Sequence, residues 1–359
     1  MGSMTHACRA LVGVGAALLC AGVLAAPADT TVEPCRARAL DLEQPAYMIV
    51  DAVVRGDRLL LPDYTRGLRE VDLLTGKDLR PRSILPLGTQ RGEVKGPQHL
   101  GCGAGRCVVF GDRYFWVFFD RSWKFLHEYP GFTSTASGQP LVFDDRIVVY
   151  GVARAEASGT TAYLYVQYDD GGVFPLQEFP MNMPIPEIVK HIQFQGIITG
   201  GLTALPDGGW IFLDPRSYSV YVFDQHDRLR KAWNGANPRF RVPNWKAAPE
   251  VHDDSGRETY ARWQLSQPLV KRPVVVGDDL LAVVIGLPDG PLRQRHELDL
   301  YRLSGEPVAI GVPITGVEAG RLVAADADAE RLMLVGQETW EPSARTIVWN
   351  VDVPSVEQP

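Results

Sequence analysis

Two cysteines separated by a glycine-rich spacer form the most distinctive chemical pattern in the sequence. Cys102 and Cys107 enclose Gly-Ala-Gly-Arg at positions 103–106. In an exported chain this pattern favours a disulfide across the mouth of a hairpin. The alternative is half of a zinc site, but the sequence has no second ligand pair at zinc spacing. We predict a Cys102–Cys107 disulfide and a free thiol at Cys35.

Familiar catalytic motifs are absent from the sequence. It contains no Gly-x-Ser-x-Gly, no His-Glu-x-x-His, no phosphate-binding Gly-Lys-Ser/Thr loop and no EF-hand loop. The acidic segment 326–330 lacks the turn glycine and the distal glutamate of a calcium loop, so it is interpreted as a hairpin turn. We therefore predict no catalytic residue, no metal ligand and no cofactor.

Four polar residues are candidates for contacts with a ligand. They lie in or before short apolar segments and are His99, Gln139, His191 and Thr203. If those segments line a central channel, their polar groups can converge on one ligand. The alternative is a packing role, or a hydrogen bond to a neighbouring element.

A long polar segment, residues 234–268, brings basic and aromatic side chains together. The binding candidates there are Arg239, Arg241, Trp245, Lys246 and Trp263. Long loops on a rigid framework often carry binding function, and a basic-aromatic patch suits an anionic or sugar-bearing partner. In the alternative interpretation, the two tryptophans merely hold the loop against the framework.

The elements that position these residues repeat along the chain. Each unit has short apolar strands separated by Gly, Asp and Pro turns, with Pro-Asp-Gly-Gly at 206–209 as a typical hairpin turn. The third strands of the units end at Asp72, Asp120, Asp169, Asp224, Arg302 and Asn350. The intervals are 48, 49, 55, 78 and 48 residues, and the polar segment 234–268 accounts for the long one. Spacing of about 50 residues is typical of β-propeller blades.

Six such units predict an all-β, six-bladed β-propeller over residues 29–359. Two β-sandwich domains are the alternative, but six evenly spaced units are difficult to divide in that way. The last unit has only three strands before the sequence ends. We therefore expect residues 37–42 to pair into the last blade and close the ring, since closure removes exposed strand edges.

The first 28 residues have the pattern of a secretory signal peptide. Arg9 precedes an uncharged apolar run over residues 10–26, and Ala-Pro-Ala follows at 26–28. A single membrane anchor is the alternative, although the run is short for a bilayer span. We predict a periplasmic or secreted protein without a membrane span after signal removal.

The net negative charge of the chain argues against a nucleic-acid partner. The chain has 36 lysines and arginines against 43 acidic residues, and its isoelectric point is about 5.6. A broad basic surface for nucleic acid is therefore not expected. We expect a monomer whose partner is a protein, a peptide or a glycan.

Two segments resemble a known group of proteins. Residues 201–233 (GLTALPDGGWIFLDPRSYSVYVFDQHDRLRKAW) look like one blade of the bacterial six-bladed propellers of the NHL-repeat and TolB-like superfamily. Residues 87–100 (LGTQRGEVKGPQHL) are similar to the glycine-rich segment between blades in exported bacterial propellers. The resemblance implies a six-bladed fold and implies little about function, because propellers carry many unrelated sites.

Two functions are compatible with the sequence. The first is an exported, non-catalytic binding or scaffold propeller that recognises its partner through a loop-decorated face. The second is a divalent-cation-dependent propeller hydrolase of the gluconolactonase type. In that family a glutamate precedes the Gly-Pro pair, and Lys95 stands there in this sequence. This difference favours the binding protein over the enzyme.

Overall fold

A computed structural model describes residues 33–354 of the 359-residue chain. It does not describe residues 48, 132, 137, 155–160, 177–199, 216, 245–246, 248, 250–253, 320, 328–330 and 340–343 within that range. The described part of the chain is all-β apart from a short helix, in a propeller-like arrangement of sheets.

The strands and the helix follow one another in this order: β1 Cys35–Asp41, β2 Val53–Arg55, β3 Arg58–Asp63, β4 Gly67–Asp72, β5 His99–Gly103, β6 Arg106–Phe110, β7 Phe115–Asp120, β8 Phe125–Pro130, β9 Thr133–Ala136, β10 Leu141–Val142, β11 Arg146–Arg154, β12 Thr161–Tyr168, β13 Val173–Pro175, β14 Gly201–Ala204, β15 Trp210–Asp214, β16 Ser219–Phe223, β17 Leu229–Asn234, α1 Asp254–Leu265, β18 Leu269–Val270, β19 Val274–Val276, β20 Leu280–Pro288, β21 Gln294–Arg302, β22 Pro307–Thr315, β23 Arg321–Ala327, β24 Arg331–Gln337 and β25 Thr346–Asp352.

Four sheets follow the chain in sequence, and neighbouring strands within them are antiparallel. Their orders are β2-β3-β4, β5-β6-β7-β8, β10-β11-β12-β13 with β9 on β11, and β14-β15-β16-β17. A fifth, nine-stranded sheet has the order β18-β20-β21-β22-β1-β25-β24-β23, and β19 pairs with β20. Consecutive strands therefore pair with each other almost everywhere, as hairpin-rich sequence predicts.

The fourth sheet illustrates how the local sequence forms a blade-like unit. Its hairpin turn places Gly208 at φ 83°, a backbone conformation that glycine adopts without strain. The side chain of Asp207 stabilises the turn, because its Oδ1 accepts a hydrogen bond of 2.9 Å from the backbone N–H of Gly209. The strand expected from Trp210 to Asp214 is present as β15.

Strand β1 pairs with the last strand of the chain. Its residues Ala37 to Asp41 run antiparallel to β25, with Ala39 opposite Trp349. At its other end β1 is parallel to β22, where Cys35 lies opposite Ile314. Residues 37–41 of the segment expected to pair into the last blade, 37–42, therefore belong to β1. In the largest sheet, β1 lies between β22 and β25 and so joins the strands β18 to β22 to the strands β23 to β25.

Apolar side chains fill the space between successive sheets. The indole of Trp210 stacks on Phe223 at a centroid distance of 4.0 Å, in a cluster that also contains Leu164 of the preceding sheet. Another cluster joins Leu59 of the first sheet to Val348 of the last sheet. The aromatic residues expected in such positions are all buried, namely Trp116, Phe118, Trp210, Tyr221 and Trp349.

The polar segment 234–268 contains helix α1, although the sequence suggested only a long loop. The helix buries Tyr260, Ala261 and Leu265, which share one face at helical spacing. On its exposed side, the guanidinium of Arg262 pairs with the carboxylate of Glu258 one turn earlier, at 2.5 Å. The hydrophobic pattern is short and interrupted by polar residues, which hides the helix from sequence analysis.

A buried polar cluster attaches the start of this segment to the largest sheet. The carboxylate of Asp299 accepts hydrogen bonds from the Tyr218 hydroxyl (2.5 Å), the Asn237 side-chain amide (3.0 Å) and the backbone N–H of Gly311 (2.7 Å). Burial raises the pKa of Asp299 to about 6 from its ordinary 3.8, and the hydrogen bonds only partly oppose that shift.

We predict a pH-dependent stability that originates at Asp299. Between pH 4 and pH 6 the unfolded chain loses this proton before the folded protein does. The free energy of unfolding should therefore fall as pH rises through this window, by about 2 kcal/mol relative to Asp299→Asn. Urea denaturation of both proteins at pH 4, 5, 6 and 7 measures the difference. A difference that does not change with pH would contradict the prediction.

Candidate functional site

The first strands of successive units lie side by side. Strand β2 contacts β5, β5 contacts β10, and β10 contacts β14. The series continues from β14 to β19 and from β19 to β23, and β23 contacts β2. A cavity of about 680 Å³ lies among the residues of these strands and the segments beside them.

Two of the predicted ligand-binding residues line this cavity. Gln139 precedes β10 and Thr203 lies in β14, and both side chains belong to buried residues. Arg272, which precedes β19, donates a hydrogen bond from Nη1 to Oε1 of Gln139 and one of 2.9 Å from Nε to the carbonyl of Leu202. Arg272 thus ties three neighbouring sheets together at the cavity wall.

The charged residues around the cavity are all basic. Its described lining contains Arg55, Arg106, Arg121 and Arg272 and no acidic residue. Asp169 compensates the charge of Arg106, because Nη1 of Arg106 lies 2.5 Å from Oδ2 of Asp169. In the part of the chain that the structure describes, Arg55 and Arg121 form no ion pair. Among the described lining residues, Arg55 and Arg121 thus carry positive charge without an ion-pair partner, in a protein that is acidic overall.

The predicted disulfide is present at the edge of the same cavity. Cys102 and Cys107 face each other across the β5–β6 hairpin and are bonded. The whole hairpin end, residues 102–107, lines the cavity. Nε of Arg121 lies 3.8 Å from the position that a Cβ atom on Gly105 would occupy, so this guanidinium lies over the glycine turn.

His99 has a structural position outside the cavity lining. Its Nδ1 lies 2.9 Å from Oδ2 of Asp51, and the same carboxylate oxygen accepts a hydrogen bond from the backbone N–H of Leu100. Both His99 and Asp51 are buried. This arrangement connects β5 to the residues before β2, which is the alternative role considered for a polar residue at this place. His191 lies outside the described residues.

Two basic candidates in segment 234–268, Arg239 and Arg241, are not part of the described cavity lining. Arg239 pairs with Glu297 at 2.9 Å and donates to the carbonyl of Gly311 at 2.8 Å. Arg241 donates to backbone carbonyls of its own segment, including Phe240 at 3.0 Å.

The aromatic candidates of that segment divide between described and undescribed positions. Trp263 in α1 is half-buried, with its ring centroid 5.5 Å from that of Tyr260. Trp245 and Lys246 lie outside the described residues. The described candidates are thus tied to the largest sheet and to their own segment, and they do not meet Gln139 and Thr203.

The cavity arginines were not predicted from the sequence. Arg55 is the last residue of the valine-rich strand β2, Arg272 lies two residues before the valine-rich strand β19, and Arg121 directly follows β7. A strand-end position in each repeat is the signal that could have identified them. That signal needs the register of the repeats, because the three residues are far apart in the chain and share no motif.

Neither a metal-binding group nor a membrane-spanning helix is found in the described part of the chain. No group of three or more His, Cys, Asp or Glu side chains there is arranged to hold a metal ion. Among the same residues, no helix is long and apolar enough to cross a lipid bilayer.

Comparison with known proteins supports the fold. No family model and no curated protein sequence matches the chain. A solved structure of a candidate exported protein from Bacteroides fragilis is 11% identical, with a TM-score of 0.58 over 89% of this chain and 96% of that chain. Virginiamycin B lyase from Staphylococcus aureus is 10% identical, with a TM-score of 0.44 over 89% of this chain and all of that chain (100%). At 11% identity, the first likeness shows the fold alone.

We predict that the disulfide is dispensable for folding. The bond closes a loop of only six residues whose strands already pair, so loss of the bond should lower the free energy of unfolding by about 2 kcal/mol at most. Urea denaturation of Cys102→Ser/Cys107→Ser against the parent protein measures this. A double variant that fails to fold would contradict the prediction.

Thiol counting checks the pairing independently. Cys35 is buried, and burial raises the pKa of its thiol to about 11, so alkylation requires denaturing conditions. A chain that begins at residue 29 should then show one reactive thiol before reduction and three after it. Three reactive thiols before reduction would show that the disulfide does not form.

Proposed function

We propose that this protein is an exported six-bladed β-propeller that binds a small ligand, without chemical conversion, at one mouth of its central channel. The observation that carries the proposal is the cavity that Gln139, Thr203 and the arginines line together.

Support for six blades comes from the inner strands and the core. The cyclic contacts β2-β5-β10-β14-β19-β23-β2 suit six units around one axis. Six apolar clusters each join two neighbouring units, including one between the last unit and the first. In this ring β1 is the outer strand of the sixth blade, which otherwise has only β23, β24 and β25.

Support for binding comes from the size and chemistry of the cavity. Its volume of about 680 Å³ lies within the range of about 300–1,000 Å³ typical of small-molecule sites. The polar side chains belong to strand ends or to segments next to strands, so their positions are set by the sheets. Rigid positioning of this kind lowers the entropy that a ligand loses on binding.

The charge of the cavity favours a binding protein over a cation-dependent hydrolase. A hydrolase of the gluconolactonase type needs acidic side chains that converge on a divalent cation. The described cavity lining has arginines where such a site needs carboxylates. Guanidinium groups repel a divalent cation and offer it no acceptor atom.

The proposed binding face differs from the face that segment 234–268 suggested. Glu297 compensates the charge of Arg239, and Arg241 is satisfied by backbone carbonyls. Neither guanidinium is thus as available to a partner as those of Arg55 and Arg121. Segment 234–268 is proposed to stabilise the fifth blade, to which Asn237 connects it.

Export to the periplasm or the medium is part of the proposal. It rests on the signal-peptide pattern of residues 1–28 and on the Cys102–Cys107 disulfide, which is typical of oxidising compartments. The likeness to a candidate exported protein agrees with it.

Filling the cavity provides the test. Ala204 lines the cavity and is exposed, whereas Ala232 of β17 is equally exposed and lies outside the lining. We expect Ala204→Trp to lose a ligand that the parent protein and the control Ala232→Trp both retain. The proteins are incubated with a mixture of acidic, basic and neutral metabolites and filtered, and retained compounds are identified by mass spectrometry.

The expected result is one or more compounds retained unchanged by the parent protein and the control but not by Ala204→Trp. Equal retention by Ala204→Trp would contradict a site in the cavity. Absence of any retained compound would contradict the binding role. Conversion of a compound would show that the protein is an enzyme.

A further inference from the structure

We propose that the ligand of the channel-mouth cavity is a small anion, bound through its carboxylate or phosphate oxygens by Arg55 and Arg121. This inference rests on the proposed function and specifies the chemical class of the ligand. It follows from the distribution of charge, the balance of hydrogen-bond donors and acceptors, and the size of the cavity.

The charge of the described cavity lining is opposite in sign to the net charge of the chain. The chain carries a formal net charge of −7, yet the lining residues that the structure describes include four arginines and no acidic residue. Among the described residues, neither Arg55 nor Arg121 has an ion-pair partner. Arg55 is half-buried and Arg121 is exposed, so both can reach a bound molecule at the cavity mouth. An anion is the ligand that removes the repulsion between the arginines.

The other two arginines have fixed positions. The guanidinium of Arg106 donates to Asp169 and to the carbonyl of Phe143, and its Cζ atom lies 5.0 Å from the centre of the Phe118 ring. Arg272 is held by Gln139 and by the carbonyl of Leu202. These interactions hold the two side chains in place in the wall. Arg55 and Arg121, by contrast, have no ion-pair partner among the described residues and can donate hydrogen bonds to a ligand.

The hydrogen-bonding groups around the cavity are mostly donors. A guanidinium has five N–H donors and no acceptor. Oε1 of Gln139 accepts a bond from Arg272, and the amide NH₂ group of Gln139 can donate to a ligand. Thr203 adds a hydroxyl. A donor-rich wall suits a ligand rich in acceptors, and guanidinium groups bind carboxylate and phosphate with paired hydrogen bonds.

The size and the apolar part of the wall limit the ligand further. A volume of about 680 Å³ accommodates a small molecule rather than a folded partner. Val54 and Val275 line the cavity and are partly exposed, so they can contact a carbon skeleton. The ligand class is therefore a small organic acid or an organic phosphate.

Titration calorimetry with citrate, inorganic phosphate and uncharged sucrose tests the inference. The informative variant is Arg55→Gln/Arg121→Gln. Its matched control, Arg82→Gln/Arg228→Gln, removes two exposed arginines outside the cavity lining and changes the net charge equally. Thermal melting of both variants checks folding, which should be unaffected because none of these four side chains forms an ion pair with a described residue.

We expect citrate or phosphate to bind the parent protein and the control within twofold of each other, and the Arg55/Arg121 variant at least tenfold more weakly. Binding should weaken as sodium chloride rises from 20 to 200 mM, since salt screens the arginine charges. Preference for citrate identifies a carboxylate site, and preference for phosphate identifies a phosphate site. Sucrose should not bind.

Failure of the inference is distinguishable from failure of the proposed function. If neither anion binds the parent protein, or if the Arg55/Arg121 variant binds as tightly as the control, the anionic class is wrong. A neutral or basic compound retained by the parent protein and lost in Ala204→Trp would leave the binding role intact and overturn only the anionic class.

Discussion

The pairing of β1 with β25 is the constraint on which the rest of this structure depends. The two strands come from opposite ends of the described chain, with Ala37 opposite Val351 and Asp41 opposite Ile347. Without β1, the last unit would expose the edge of β25, and unpaired edges promote aggregation. In the proposed ring this one pairing holds the ends together and so fixes the circumference of the channel.

In the proposed ring, the cavity that Gln139, Thr203 and the arginines line depends on that closure. The first strands of successive units contact one another, and apolar clusters between units keep these strands in place. The residues at the strand ends are then free to be polar, because the core does not need them. Arg55 and Thr203 are 148 residues apart in the chain, and Thr203 and Arg272 are 69 residues apart. The fold nevertheless brings all three residues to one cavity.

Sequence analysis predicted the strands and the disulfide because both depend on local patterns. Alternating aromatic residues and Gly-Asp turns determine β14 to β17, and the glycine spacer determines the Cys102–Cys107 bond. Helix α1 was missed because only a narrow face of it is buried. The arginine cavity was missed because it depends on how separate sheets are placed side by side. The local sequence around Arg121 gives no sign of that placement.

The candidate residues illustrate the same distinction. Gln139 and Thr203 were chosen from their position at inner strands, and they line the cavity. His99 was chosen for the same reason, but its imidazole is hydrogen-bonded to the buried Asp51. A polar residue at an inner strand can therefore line the cavity or form a hydrogen bond to a neighbouring element. The sequence does not distinguish these two roles.

Deletion of residues 37–42 tests the central claim, closure of the ring by β1, most directly. The measurement is the thermal melting temperature and the monomer fraction of the deleted protein, with a deletion of residues 355–359, beyond β25, as the control. We expect the loss of 37–42 to lower the melting temperature cooperatively and to cause aggregation, while the control melts like the parent protein. A protein without residues 37–42 that remains monomeric and melts like the parent would contradict ring closure by β1.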